Sequence, residues 1–195
     1  MSQQISTHIE LQLENRDRMS ALLRIFFVIP IAIYAAAFSN YTSNFDYAAG
    51  LIVVPVVLTL LFRGVYPTYV YNFNKAFLGL SLRVMSYILL LTDEYPTIEA
   101  NEKYSVEFPD IEGGKKLSRG LPLVKWFLAI PLYVVGIIYS IYALMLTLVA
   151  WITIVFTGTY PEWCAAGVIG TTAYWNRVYG YAFILVTDEY PSFAL

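Results

Sequence analysis

Two copies of one acidic motif carry the side chains best suited to chemistry in this sequence. The residues TDEYP stand at positions 92–96 and again at positions 187–191, each time directly after an apolar run. The carboxylates are those of Asp93, Glu94, Asp188 and Glu189. Adjacent carboxylates can transfer protons, hold a metal ion or pair with a cation. The residues around the motif decide which of these uses is open to it.

One arginine precedes each copy of the motif, Arg83 in the first case and Arg177 in the second. Each lies nine or ten residues upstream, which is about 14 Å along a helix. Neither arginine can therefore reach its own motif while the helix stays straight. We predict that each arginine pairs with the carboxylates of the other copy and locks two parts of the chain together. Contact between these arginines and lipid phosphate is the competing interpretation.

Other signals for catalysis are absent from the sequence. It has one histidine, His8, and one cysteine, Cys164, so no histidine and cysteine cluster can hold zinc. It contains no nucleophile elbow, phosphate-binding loop or dinucleotide fingerprint. We therefore expect no catalytic residue, no metal and no cofactor, and the lack of a basic surplus argues against nucleic-acid binding.

The composition points to a membrane protein. Hydrophobic residues make up 58% of the 195 positions and charged residues only 13%, against about 25% charged in an average soluble domain. The 17 tyrosines and 12 phenylalanines suit the membrane–water interface. A soluble protein of this size could not bury so much apolar surface.

The acidic motif belongs to a longer internal repeat. The run LLRIFFVIPIAIY resembles LVKWFLAIPLYVV, which aligns Arg24 with Lys125 at an offset of 101 residues. RGVYP resembles TGTYP at an offset of 94, and the two TDEYP copies are 95 apart. We predict two tandem units, 16–100 and 121–195, with seven residues deleted from the second between Pro131 and Gly158.

These patterns predict an all-α integral membrane protein. Each unit would contain a transmembrane helical hairpin and an amphipathic interfacial helix, giving four spans in total. In the first unit the hairpin turns at the polar loop 39–47. In the second, 121–157 is almost unbroken, and as one helix it would be about 55 Å long, so we prefer two spans turning near Tyr139–Tyr142. One long tilted helix is the alternative.

The positive charges predict the orientation. No lysine or arginine falls between Arg24 and Arg63, or between Lys125 and Arg177. The positive-inside rule then places both termini and the linker on the cytoplasmic side of the membrane, and the loop 39–47 outside. The basic residues predicted to contact lipid headgroups are Arg24, Lys115, Lys116, Arg119 and Lys125.

The segments 68–91 and 162–186 are the predicted interfacial helices. Asn72, Lys75 and Arg83 share one face of the first segment at helical spacing. A re-entrant segment or a third span in each unit, with the arginine facing protein, is the alternative. Tyrosine–proline pairs would end these elements at headgroup level. These anchors are Tyr66, Pro67, Tyr95, Pro96, Tyr160, Pro161, Tyr190 and Pro191.

The linker 101–120 is polar and is expected to lie on the cytoplasmic face. Its residues KYSVEFPD alternate enough for one short strand, and EGG is typical of a turn.

The segments LSRGLPLVKWFLAIPLYVV, FTGTYPEW and WNRVYGYAFILVTDEYPSF closely resemble the bacterial membrane family known as domain of unknown function 4389. The second unit matches that pattern nearly throughout. The first unit departs from it, because Arg63 replaces a threonine and Ser81–Leu82 replaces Trp–Asn. The resemblance implies an integral membrane protein, often built from tandem copies, and implies no reaction.

Two functions remain open at this point. The favoured hypothesis is a non-catalytic scaffold or accessory subunit that binds membrane lipids or another membrane protein and is a homo-oligomer or part of a complex. The alternative is a small oligomeric transporter or channel. Its pore would be lined by hydroxyl and tyrosine side chains, namely Tyr139, Tyr142, Thr147, Thr153 and Thr157.

Overall fold

A computed structural model describes residues 3–37, 47–48 and 51–195, and within them the chain is mostly helical. The α-helices are α1 (Arg18–Phe27), α2 (Ile29–Ala36), α3 (Val54–Arg63), α4 (Thr68–Ile88), α5 (Leu121–Leu128), α6 (Ile130–Thr157) and α7 (Glu162–Tyr179). A π-helical turn, Gly180–Ile184, extends α7, and a 3-10 turn forms at Glu112–Gly114. The strands are β1 (Ser6–Ile9), β2 (Tyr47–Ala48), β3 (Leu51–Ile52) and β4 (Tyr104–Glu107).

The all-α prediction is wrong in one respect, because the strands form two small antiparallel sheets. β1 pairs with β4, with Ser6 opposite Glu107 and Ile9 opposite Tyr104. β2 pairs with β3. The linker's alternating pattern does form a strand, β4, and the polar N-terminal segment supplies its partner. The loop predicted at 39–47 lies, apart from Tyr47, outside the described residues.

The hairpin predicted within 121–157 is also wrong. The chain bends at Ala129, between α5 and α6, and no turn forms near Tyr139–Tyr142. Pro131 stands in the first turn of α6, where a missing N–H costs no hydrogen bond. α6 then continues for 28 residues, about 42 Å, until Gly158 ends it in the left-handed conformation. The long-helix alternative is therefore the right one for Ile130–Thr157.

α7 returns antiparallel along α6. Gly167 lies against Leu146, and Gly136 lies against the ring of Trp175. The Tyr174 hydroxyl donates to the Leu132 carbonyl at 2.8 Å. The contacts therefore move back along α6 as the chain advances along α7, which identifies the pair as a helical hairpin.

The first half of the chain places several short elements before its own long helix, with α1, α2, β2, β3 and α3 preceding α4. Ile31 of α2 packs against Leu80 and Val84 of α4. Nearer the start of α4, the Asn74 side chain bonds both the N–H and the C=O of Ile52 in β3.

The two halves run in opposite directions, so each end of the molecule is built from both. At one end, here called end A, the Arg16 N–H donates to the carbonyl of Gly158, beyond the end of α6. At the other, end B, the Tyr66 N–H donates to the carbonyl of Gly113. The Trp151 indole also reaches across, donating to the Ala21 carbonyl of α1 at 3.1 Å. The start of each half thus packs on the Gly-x-Tyr-Pro turn of the other.

Two helical stretches within the described residues are long and apolar enough to cross a membrane. One is 18–36, which comprises α1 and α2, and the other is Ile130–Thr157. This finding rests on length and composition, and four spans do not follow from it.

Candidate lipid-binding surface and the ion pairs that frame it

A buried ion pair ties the beginning of the first half to its end. Arg24 in α1 donates to the Asp93 carboxylate at 2.6 Å and to the Thr92 carbonyl at 2.6 Å. Its guanidinium also lies over the ring of Tyr87, 4.0 Å from the centroid. The second Asp93 oxygen accepts the backbone N–H of Asp17 at 2.8 Å. The acidic motif is therefore held by the helix that opens its own half.

The same arrangement recurs in the second half. The Lys125 ammonium lies 2.6 Å from the Asp188 carboxylate and donates to the Thr187 carbonyl at 2.6 Å. It lies over the ring of Tyr181. The Ser118 N–H donates to Asp188 at 2.6 Å. We call the two arrangements the Arg24–Asp93 clamp and the Lys125–Asp188 clamp.

Among the described residues, the Arg24–Asp93 clamp has a second cation and the Lys125–Asp188 clamp has none. Arg16 lies 3.0 Å from Asp93 and donates to the Leu90 carbonyl at 2.6 Å. Burial lowers the pKa of the Arg16 guanidinium, and the charge of Asp93 partly offsets that effect. Both Arg24 and Lys125 are buried, with 4% and 1% of their surface exposed. Their predicted role as headgroup contacts is therefore wrong, because each side chain is buried and bonds the acidic motif of its own half.

The predicted pairing of Arg83 and Arg177 with carboxylates of the other copy is not what the structure contains. Arg83 donates to the Thr97 and Ile98 carbonyls at 2.8 and 2.9 Å, just beyond its own motif. Arg177 likewise donates to the Ala194 carbonyl. The chain turns back after each motif and brings these carbonyls alongside the C-terminal part of the preceding helix, which a straight-helix argument cannot foresee.

The remaining predicted residues lie at the surface or between the halves. Glu94 pairs with Lys103 at 2.7 Å, and Glu189 accepts the Gln3 N–H at 2.8 Å. Lys115 and Arg119 are exposed. Lys116 is also exposed and pairs with Glu112 at 3.0 Å.

The tyrosines of the Gly-x-Tyr-Pro turns are buried and are not surface anchors. Tyr66 donates to the Ile184 carbonyl at 2.7 Å, and Tyr160 donates to the Leu89 carbonyl at 3.4 Å. Each bond therefore joins one half to the other. Burial raises the pKa of both phenols.

The other tyrosine–proline pairs divide between surface and interior. Tyr95 and Tyr190 are partly exposed, and their rings pack edge-on against Tyr87 and Tyr181. Pro67 and Pro161 lead into α4 and α7, where their fixed φ suits the residue before a helix. Pro96 and Pro191 are buried.

The outer helices expose a broad apolar surface, which we call the apolar face. The exposed large hydrophobic side chains of α6 are Ile130, Val134, Ile137, Ile138, Ile141, Tyr142, Leu144, Met145, Leu148, Val149, Trp151, Ile152 and Phe156. α1, α2 and α5 add others, among them Ile25, Phe26, Ile33 and Phe127. α7, by contrast, exposes only Trp163 among its large hydrophobic residues. α6 contains no charged residue. We call α4 and α7 the inner helices, because many of their residues are buried, and α1, α2, α5 and α6 the outer helices, because they expose apolar side chains.

A cavity of ≈ 780 Å³ lies between α2, α4, α6 and α7. Its lining is apolar with a few hydroxyls, and it includes Ala35, Ser81, Leu144 and Trp175. The volume falls in the range of small-molecule sites, about 300–1,000 Å³. The lining suits a hydrocarbon chain better than a charged ligand.

The clamps could have been found from the sequence. The offset of 101 aligns Arg24 with Lys125, and the offset of 95 aligns Asp93 with Asp188. A cation and a carboxylate that recur at matching positions in both units indicate an ion pair within each unit. The contribution of Arg16 has no such signal, because Leu117 stands at the matching position.

No curated protein and no solved structure matches this chain. Within the chain, residues 122–194, from α5 to the residues after the second acidic motif, match the model of a protein family. That family is described as domain of unknown function DUF4389, and the second half of the chain is similar to it.

Proposed function

We propose that this protein is a non-catalytic membrane protein of the bacterial cytoplasmic membrane that binds lipid through its apolar face. It would act as a scaffold or accessory subunit, holding a second copy or another membrane protein at the bilayer. The apolar face carries this proposal. Water-soluble monomers rarely expose a contiguous apolar patch larger than a few hundred Å², and α6 alone offers thirteen large hydrophobic side chains.

We further propose that the chain consists of two copies of one unit. The clamps support this, since cation, carboxylate and backbone donor recur at matching positions. Leu90 and Leu185, 95 residues apart, both adopt positive φ, at 62° and 61°. Gly64 and Gly158 end α3 and α6 in the same left-handed conformation.

The hydroxyls that a pore would need have partners in their own helix. Thr147, Thr153 and Thr157 each donate to the carbonyl four residues earlier. Such bonds satisfy a hydroxyl in apolar surroundings and leave little to line a water path. The scaffold is therefore the better account of α6.

Vesicle flotation tests the lipid-binding proposal. Detergent-purified protein is mixed with phosphatidylethanolamine–phosphatidylglycerol vesicles, the detergent is removed, and the sample is centrifuged through a density gradient. We expect the protein to float with the vesicles. The double substitution Ile141→Glu and Met145→Glu, at two exposed positions of α6, should reduce flotation strongly.

The control introduces one glutamate on the polar surface. His8→Glu alters an exposed residue of β1 and should leave flotation unchanged. The proposal would be contradicted if wild-type protein stayed at the bottom of the gradient when vesicles were present. It would also be contradicted if the protein remained monomeric and soluble without lipid or detergent.

A further inference from the structure

The β1–β4 sheet lies within a polar ribbon, formed by the N-terminal segment 3–13 and the linker residues paired with it, that reaches from one end of the molecule to the other. Its exposed side chains within the described residues include Ser6, His8 and Glu10 from the N-terminal segment. Glu102 and Glu107 of the linker are exposed beside them. The N-terminal segment reaches from the Gln3 bond with Glu189 at end B to the Leu13 carbonyl, which accepts the Tyr160 N–H at end A.

The ribbon lies on the inner helices, on the side away from the apolar face. Asn176 of α7 donates to the Thr7 hydroxyl at 2.9 Å, and Gly180 lies against Ile5. On the same helix, Thr171 and Trp175 contact α6. At 100° per residue, Asn176 lies about 100° from Trp175 and about 140° from Thr171 around α7, so the ribbon and α6 contact different sides of this helix. The order of layers is therefore ribbon, inner helix, outer helix.

This order conflicts with helices that cross a bilayer. If α6 stood perpendicular to the membrane, the ribbon beside it would also pass through the hydrocarbon. A two-stranded sheet has two edges whose backbone groups lack ladder partners, and each unsatisfied group costs several kcal/mol in lipid. Glu107 and the exposed Lys75 of α4 would add about 2.5–3.5 kcal/mol each near the bilayer centre.

The same layers fit a membrane when the helices lie parallel to its surface. Packed helices are about 8–10 Å apart, which matches the roughly 5–10 Å that an interfacial helix penetrates. The apolar face would then lie among acyl chains and the ribbon in water. Exposed cations flank the outer helices at both ends, with Arg18 at end A and Arg63 and Arg119 at end B. In this placement all three meet headgroups of one leaflet.

We propose that the whole helix bundle lies in the plane of the membrane, embedded in the cytoplasmic leaflet through its apolar face, with the β1–β4 ribbon in the cytoplasm. This inference rests on the proposed lipid binding and replaces the four predicted crossings. It retains the interfacial placement predicted for 68–91 and 162–186 and extends that placement to α1, α2 and α6. The partner surface is one leaflet rich in anionic lipid.

Thiol labelling at the two ends tests the placement. Glu14→Cys marks end A, Ser118→Cys marks end B and His8→Cys marks the middle of the ribbon, all at exposed positions. The background is Cys164→Ala, which removes the one native thiol. Cys164 is buried, so this substitution leaves the surface unchanged. An impermeant maleimide should label none of the three in intact cells and all three in inside-out vesicles. Labelling of Glu14→Cys and Ser118→Cys from opposite sides would overturn the proposal.

Spin-label depth gives a second test. Val134, Ile141 and Leu148 are exposed and seven residues apart, so they share one face of α6. In the in-plane placement, labels at these positions report the same depth. In a crossing helix, successive positions differ by about 10 Å along the membrane normal, and that result would also overturn the proposal. Protein that fails to float with vesicles would instead contradict lipid binding itself.

Discussion

The two halves of this chain build the same ends around different middles. In the second half, α6 runs for 28 residues without a break and gives α7 a continuous partner. In the first half, the chain that precedes α4 is divided into α1, α2, the β2–β3 pair and α3. α4 therefore contacts several short elements. Its Asn74 side chain bonds the backbone N–H and C=O of Ile52 in β3.

The clamps and the Gly-x-Tyr-Pro turns are retained across this difference, whereas the packing between them is not. Gly136 lies directly against Trp175 in the second half. At the matching places, the first half has Ala35 and Ser81, and both line the cavity. The comparison indicates that the two halves share the clamps and turns at their ends and differ in the packing between them.

The largest expected effect separates the two motif aspartates. Asp188→Ala leaves one buried cation without its partner, which costs about 3–5 kcal/mol. Asp93→Ala leaves both Arg16 and Arg24 unpaired and should lower the free energy of unfolding further. Thermal and denaturant unfolding in detergent would measure both. Equal losses would show that Arg16 does not depend on Asp93.

Removing the cations should reverse that order. Lys125→Ala removes the ion-pair partner of Asp188 and should lower the free energy of unfolding by about 3 kcal/mol. Arg24→Ala leaves Asp93 with Arg16, 3.0 Å away, so the loss should be nearer 1.5 kcal/mol, as for one charged hydrogen bond. Arg16→Ala combined with Arg24→Ala should then equal or exceed the Lys125 effect. An Arg24→Ala loss above that of Lys125→Ala would contradict this ranking.

The packing between the clamps should respond differently in the two halves. A Cβ on Gly136 would lie 2.6 Å from the Trp175 ring, so Gly136→Ala should destabilise by about 1–3 kcal/mol. Ala35→Val adds similar bulk beside the cavity and should change stability by less than about 0.5 kcal/mol. Trp175→Ser, which introduces the residue found at 81, should remove the penalty of Gly136→Ala in a double-mutant cycle. Additive effects would rule out the ring contact as its cause.

The smallest difference concerns the tyrosines that join the halves. Tyr66→Phe removes a 2.7 Å bond to Ile184 and should cost about 0.5–1.5 kcal/mol. Tyr160→Phe removes a 3.4 Å contact with Leu89 and should cost less. Melting temperatures of the two variants, compared under identical detergent, would check the order.

The sequence predicted the helical character, the strand in the linker and the resemblance of the second half to DUF4389. It could not predict β1, because Ser6–Ile9 is polar and becomes a strand only through its pairing with Tyr104–Glu107. The hairpin in 121–157 was wrong because a fixed bilayer thickness was imposed on a segment that α7 supports along most of its length.

The assignment of arginines failed for a related reason. Arg83 and Arg177 are charges within apolar segments, which favours a carboxylate partner for each. Their partners in the structure are backbone carbonyls that a turn after each motif brings near. Arg24 and Lys125 were assigned to headgroups because they begin apolar runs. Only the antiparallel course of each half returns the motif to them, and such a return is a tertiary property that no local pattern contains.

The N-terminal segment has a consequence for synthesis. Its partners are β4 and the carbonyl of Gly158, which leave the ribosome long after Arg16 does. At about 5–20 residues per second, the 142 residues that follow Arg16 up to Gly158 take roughly 7–28 seconds to be synthesised, and residues 3–17 wait that long for the last of these contacts. During that interval a nascent-chain chaperone has access to them, and the first half cannot close end A before the second half is translated.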